Sequence, residues 1–171
     1  YKRQALGALV VSLADDASRQ AAVADERQAS GATLPPLHGV PVTIKECYDI
    51  AGVPTTIGLT TRVKEIATAD ALLVARLRAA GAIVLGKSNV PQLMIQHECD
   101  NPVYGRTSNP WNPDRTPGGS TGGEGALLAA GGTALGLGSD LGGSIRIPCH
   151  FCGVHGIKPT SRRLSRRGSL R

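Results

Sequence analysis

The sequence predicts an α/β protein, a mainly parallel or mixed sheet covered by helices, and three observations carry that reading. The runs Val40 to Ile44, Ala82 to Leu85 and Thr133 to Ser139 are short and apolar without polar alternation, the mark of strands covered on both faces. The stretch Ala69 to Ala80 has helical apolar spacing, stops on Gly81 and leads directly into the second of those runs. Helix, glycine and buried strand make half of a βαβ unit, and such units imply a parallel sheet. Finally, 171 residues can bury one respectable core and favour a single domain.

Taken in order, Ala5, Leu6, Leu9, Val10, Leu13, Ala17, Ala21 and Ala24 recur at helical spacing between Lys2 and Ala29, with Asp15, Asp16, Arg19 and Arg27 outside them. This predicts two amphipathic helices, or one broken near Ala14 to Ser18. Gly31 to Pro36 is a loop rich in helix breakers, and the β-branched run after it delivers Lys45 at its end. Leu72, Leu73, Ala75 and Leu77 carry the next helix, with Gly81 as its C-terminal stop. Leu93 to His97 is an apolar run of ambiguous type. Asn101 to Pro117, with Pro102, Pro110, Pro113 and Pro117, reads as a long ordered loop. Gly122 to Ala130 reads as a helix, and Thr133 to Ser139 as a strand leading into Asp140-Leu141-Gly142-Gly143-Ser144. No internal repeat or low-complexity tract is visible.

The net charge of +6 invites a nucleic-acid reading that its location opposes. Lys158, Arg162, Arg163, Arg166, Arg167 and Arg171 account for the excess, with no acid among them, and aromatics at 3% supply no stacking platform. A solvated basic segment is the expectation. No run approaches the roughly 18 apolar residues of a membrane span, and no secretion signal is visible. Cys47, Cys99, Cys149 and Cys152 therefore point to a reducing compartment and a cytoplasmic location rather than a disulfide framework. The chain starts at Tyr1 without methionine and stops at Arg171 after an arginine-rich run, which reads as a segment cut at both ends.

Chemistry concentrates between Thr116 and Thr160, where glycines fall in pairs around two serines, Gly118-Gly119-Ser120 and Gly142-Gly143-Ser144. Paired glycines allow positive φ and bring several N–H groups near one ligand atom, which an oxyanion site needs. Other motifs are weaker. Gly81 to Ser88 satisfies the P-loop spacing, but its middle residues are a buried strand by composition and cannot cradle phosphate. Gly118 to Gly122 satisfies GxSxG, and Asp140 and His155 follow in the chain order of a Ser120-Asp140-His155 esterase. The proline-rich segment before it is not the strand such an elbow requires. Cys149, Cys152 and His155 make only half of a zinc site, and cysteines packed as small apolar residues are expected. Lys45 ends an apolar run, where desolvation would lower its pKa and make it a base. Ser120 and Ser144 can each be read as turn residues as well as reacting groups.

The blocks GVPVTIKECYDIAG from Gly39, KSNVPQLM from Lys87, NPVYGRTSNPW from Asn101 and the glycine segment together resemble the amidase signature family of serine amide hydrolases, on its fatty-acid-amide-hydrolase-like branch. The resemblance runs from about His38 onward. It implies the amidase signature fold, a reaction without metal or cofactor, and a small-molecule amide as partner, with a homo-oligomer left open. It places the family's lysine, bridging serine and nucleophile on Lys45, Ser120 and Ser144, with a cis peptide bond entering Ser120. The oxyanion would meet the N–H groups of Leu141, Gly142, Gly143 and Ser144, and Asp140 and Arg146 would support that loop. Thr121 stands where many members have serine and Glu46 where many have aspartate. The family's domain is longer, so residues 1–171 are expected to be one partial domain lacking its C-terminal part. Three functions follow as expectations: the amide hydrolase, the Ser120-Asp140-His155 esterase, and a non-catalytic remnant.

Overall fold

The computed structural model describes residues 5–170. Its sheet contains β1 (Leu9–Ser12), β2 (Pro41–Lys45), β3 (Ile83–Ser88) and β4 (Leu135–Leu137) in the order β1-β3-β2-β4. β2 runs parallel to both β3 and β4, and β1 is antiparallel to β3, so the sheet is mixed. The helices are α1 (Ala14–Ala29), α2 (Leu72–Ala79), α3 (Gly122–Ala129) and α4 (Arg146–Cys152). The expected αβ half-unit is present as α2 followed by β3, which lies beside β2.

β2 explains the layout because its two faces differ in chemistry. Val42 and Ile44 point to one side and join Tyr48, Ile50, Ile57, Val74 and Val84 in the main core. Thr43 and Lys45, alternating with them, point to the other side, where both are bonded to residues from the loop and helix that follow Gly118. That second side holds a smaller apolar cluster of Leu6, Ala8, Ala126 and Leu127. An irregularity sets the register: Val42 pairs with Val84 but Thr43 pairs with Gly86, so Leu85 is the extra residue of a bulge. Beyond it Ser88 stands opposite Lys45, and Lys87 opposite Ile44 on the core side.

Lys87 is fully buried there and donates to the Pro54 carbonyl (2.7 Å) and the Thr55 hydroxyl (2.9 Å), with Glu46 at 3.9 Å. Burial lowers its amine to about 8, against the carboxylates of Glu46 and Asp49. Glu46 is itself held by the N–H groups of Thr56 and Ile57 and by the Thr56 hydroxyl.

Several boundaries depart from the sequence reading. Leu9 to Ser12, expected in a helix, is strand β1, because β3 offers it an antiparallel partner and pairing overrides a helical apolar pattern. The second half of that segment is helix α1, Ala5 is helical as well, and Lys2 to Gln4 lie outside the described residues. β3 continues past the apolar run to Ser88, since neighbours on both sides extend the ladder. β4 is shorter than expected: Gly138 and Ser139 leave the sheet, and their carbonyls serve Tyr48 and Lys45. Residues Leu93 to His97 include the end of a 3-10 turn, Gln92–Met94. The P-loop reading fails as expected, its middle residues being strand. In the basic segment the side chains of Arg162, Arg163, Arg166 and Arg167 are exposed, while the main chain docks: Asp49 N–H donates to the Gly168 carbonyl and Leu170 N–H to the Cys47 carbonyl. No helix among the described residues is long and apolar enough to cross a membrane.

α3 approaches the end of β3 closely at Gly123, where a Cβ would lie 2.7 Å from the Asn89 carbonyl oxygen and 3.0 Å from that of Ala8. Alanine normally gains about 1 kcal/mol over glycine inside a helix. Here overpacking against backbone that cannot rotate away, about 1 to 3 kcal/mol, outweighs that gain. Gly123→Ala is therefore expected to destabilise the protein, read as a lower urea midpoint; a higher midpoint would contradict the packing argument.

Candidate active site

Lys45 ends β2 fully buried, and every hydrogen bond of its Nζ goes to the serines. Nζ lies 2.7 Å from Ser120 Oγ, 2.9 Å from Ser139 Oγ and 3.3 Å from the Ser139 carbonyl oxygen. No ion pair to Lys45 exists among the described residues. Burial pulls its amine below the ordinary 10.5, while Cys47, Cys99, Asp140 and Glu124 act in the opposite sense. The geometry suits a neutral amine. Its two N–H bonds can serve Ser139, and its lone pair then faces the Ser120 hydroxyl.

Ser120 is buried, and the Gly119-Ser120 peptide bond is cis, as the resemblance implies. Of the paired glycines, Gly118 and Gly143 take positive φ, +82° and +120°, as the sequence reading requires, whereas Gly119 and Gly142 do not. Gly119 serves close approach instead: a Cβ there would overlap the Glu98 carbonyl oxygen. Thr121 ties the two serine loops together. Its N–H donates to the Ser144 carbonyl (3.1 Å) and its hydroxyl to the Ser139 carbonyl (3.1 Å). Ser144 is half-buried, and its hydroxyl has no hydrogen-bond partner among the described residues.

The loop from Asp140 to Ser144 is shaped by one carboxylate. Asp140 accepts from the N–H groups of Gly143 (2.8 Å), Ile145 (3.0 Å) and Arg146 (3.2 Å), and pairs with the Arg146 guanidinium at 2.8 Å. The Arg146 guanidinium and these amides hold the Asp140 carboxyl well below the usual range. One expectation changes: the Gly143 N–H is committed to Asp140, while those of Leu141, Gly142 and Ser144 have no partner among the described residues. The Asp140 side chain is fully buried but that of Arg146 is 58% exposed, so the amides matter more than the ion pair. Asp140→Asn is expected to cost about 2 kcal/mol through weakened charge-assisted bonds, and Arg146→Gln much less. Urea denaturation of the two variants checks this order. The sign with pH follows from the lowered carboxyl: its contribution is full above the unfolded carboxylate range and is lost in acid.

The structure brings Lys45, Ser120 and the Ser144 loop together, and it does not assemble Ser120, Asp140 and His155. Asp140 is occupied by Arg146 and the loop amides, and His155 is exposed without a hydrogen bond to either residue. Cys149 and Cys152 lie on α4, the Cys152 thiol donating to the Pro117 carbonyl. Sequence reasoning missed Ser139, which holds Lys45, and Glu124, buried and bonded to Thr43. A hydroxyl ending a strand was a weak signal for the first, since serine is an ordinary turn residue. A carboxylate amid Gly122 to Leu127 was a better signal for the second.

A buried lysine facing a buried serine, beside a glycine-shaped loop with unpaired amides, defines a serine-lysine site on a mixed α/β sheet. A family model described as Amidase matches residues 2–171, and the chain belongs to the amidase signature family. It is similar to fatty-acid amide hydrolase 1 of Sus scrofa, 50% identical over 141 residues covering 82% of this chain and 24% of that protein. Amidase 2 of Gibberella moniliformis is 48% identical over 155 residues, 90% of this chain and 30% of that protein. A solved fatty acid amide hydrolase superimposes with a TM-score of 0.94 at 32% identity, covering 99% of this chain and 30% of that one. The chain thus spans about a quarter to a third of the length of these relatives.

Proposed function

We propose that this chain carries the reacting groups of an amide hydrolase acting on a carboxylic amide, fatty-acid amides included. The observation that supports it most is the 2.7 Å contact of the buried Lys45 amine with Ser120. Neutral Lys45 takes the Ser120 proton as Ser120 takes that of Ser144, and Ser144 Oγ bonds to the carbonyl carbon. The negative charge developing on the carbonyl oxygen meets the unpaired N–H groups of Leu141, Gly142 and Ser144. When the carbon–nitrogen bond breaks, the leaving nitrogen receives a proton from Ser120, which is resupplied from Lys45. An acyl ester on Ser144 remains, and water cleaves it to the carboxylic acid by the same relay. The fatty-acid amide preference is carried over from the relatives' names.

The test uses the complete chain with a long-chain primary amide and a short one, measuring acid and ammonia in equal amounts. A fluorophosphonate adduct mapped to Ser144 supports the assignment. Labelling on Ser120 alone, or loss of turnover in a folded His155→Ala variant, would overturn it.

A further inference from the structure

Glu124 on α3 is 3% exposed, and one of its oxygens, Oε2, accepts a short hydrogen bond from the Thr43 hydroxyl. Thr43 and Lys45 share one face of β2, and Ser88 stands opposite Lys45 on β3. The other carboxyl oxygen, Oε1, and the Ser88 hydroxyl are both buried without a hydrogen-bond partner among the described residues. A buried carboxylate with one oxygen unpaired is costly. Protonation relieves the cost by removing the buried charge. Burial pushes this carboxyl up to about 7, against the Thr43 and Ser88 hydroxyls and Lys45.

Four groups act electrostatically on Lys45, namely Cys47 after β2, Cys99 in the loop before the proline-rich segment, Asp140 after β4 and Glu124 on α3. Burial raises both thiols, Cys99 to about 11, so they stay neutral. Asp140 stays ionised with Arg146 against it. Glu124 alone among these changes charge near neutrality. We propose that Glu124 is a positioning residue which, from a buried cluster with Thr43 and Ser88 on the Lys45 face of the sheet, sets the pH at which Lys45 becomes the neutral base. While Glu124 is protonated, nothing on α3 holds the lysine charged; once ionised, it favours the ammonium and delays the onset of activity. This rests on Lys45 being the base.

The test is the pH profile of kcat/KM for the complete chain and for Glu124→Gln, Thr43→Val and Lys45→Met. Glutamine keeps an acceptor for Thr43 and cannot ionise, so its rising limb should move acid-side by roughly 0.5 to 1 pH unit. Below the midpoint that is a gain of about 3- to 10-fold relative to the plateau. Thr43→Val removes the bond that favours the ionised carboxyl, so it should shift the limb the same way and by less. A wild-type infrared band of a protonated carboxyl, titrating near neutrality and missing in Glu124→Gln, is expected alongside. Profiles of Glu124→Gln and Thr43→Val that superimpose on the wild type would overturn the proposal; should the first fail to fold, the second decides. If Lys45→Met keeps the activity and its limb, the lysine reading itself fails. If it loses both while the other two profiles stay unmoved, only the role of Glu124 is wrong.

Discussion

Replacing Ser144 by alanine is expected to lower amide turnover by about a millionfold, to the residual rate left by binding and the loop amides alone, as removal of a nucleophile does in serine hydrolases. The size follows from what is lost. Without Oγ no acyl ester forms, and the relay from Ser120 to Lys45 has no proton to move. The same substitution should hardly touch stability, because the Ser144 hydroxyl has no partner among the described residues and the residue's main-chain carbonyl, which accepts from Thr121, is kept. Ser120→Ala makes the contrast. It removes the hydroxyl facing Lys45 and leaves that amine with only Ser139, so it should lose activity and stability together. Turnover and urea midpoints for both variants check the pattern. Retention of even a hundredth of the wild-type rate in Ser144→Ala would remove Ser144 as nucleophile.

How much of this was legible in the sequence differs by element, for physical reasons. β2 and α2 were readable because a β-branched run and a glycine-stopped apolar period are local signals, and their ends fell within a few residues of the observed ones. β1 was not, since Leu9 to Ser12 fit a helical period and became a strand only through a partner about 75 residues away, β3. The site divides the same way. Lys45, Ser120 and Ser144 stand in motifs that mark them in the chain, whereas the bulge at Leu85 that turns Ser88 toward Lys45, and Lys87 away from it, is a tertiary fact. Two buried lysines in adjacent strands thus meet opposite surroundings. Lys87 has a carboxylate and a carbonyl, and Lys45 has hydroxyls, a carbonyl and a carboxyl poised to be neutral. Glu46, in place of the aspartate many members carry, belongs to the Lys87 side, and Thr121 still performs the tie between the serine loops.

Those surroundings make Lys45→Met the sharper test of the mechanism. Removing a general base costs about 10²- to 10⁴-fold, and the loss should grow with pH. In the wild type burial lowers the amine from 10.5, so the active neutral form increases as pH rises through that lowered value, whereas the variant has no such limb. Stability should move the other way. A buried amine that can charge carries a desolvation cost, and methionine of similar length removes it while filling the same space. The Ser120 and Ser139 hydroxyls lose one partner each, which offsets part of that gain, about 1 kcal/mol per bond. The expected result is therefore an enzyme disabled by two to four orders of magnitude with a urea midpoint near that of the wild type. A structural lysine would behave in the opposite manner, with activity falling only as far as folding does. Rates measured from pH 6 to 10 beside denaturation curves separate the two, and a preserved rising limb in Lys45→Met would exclude Lys45 as the base.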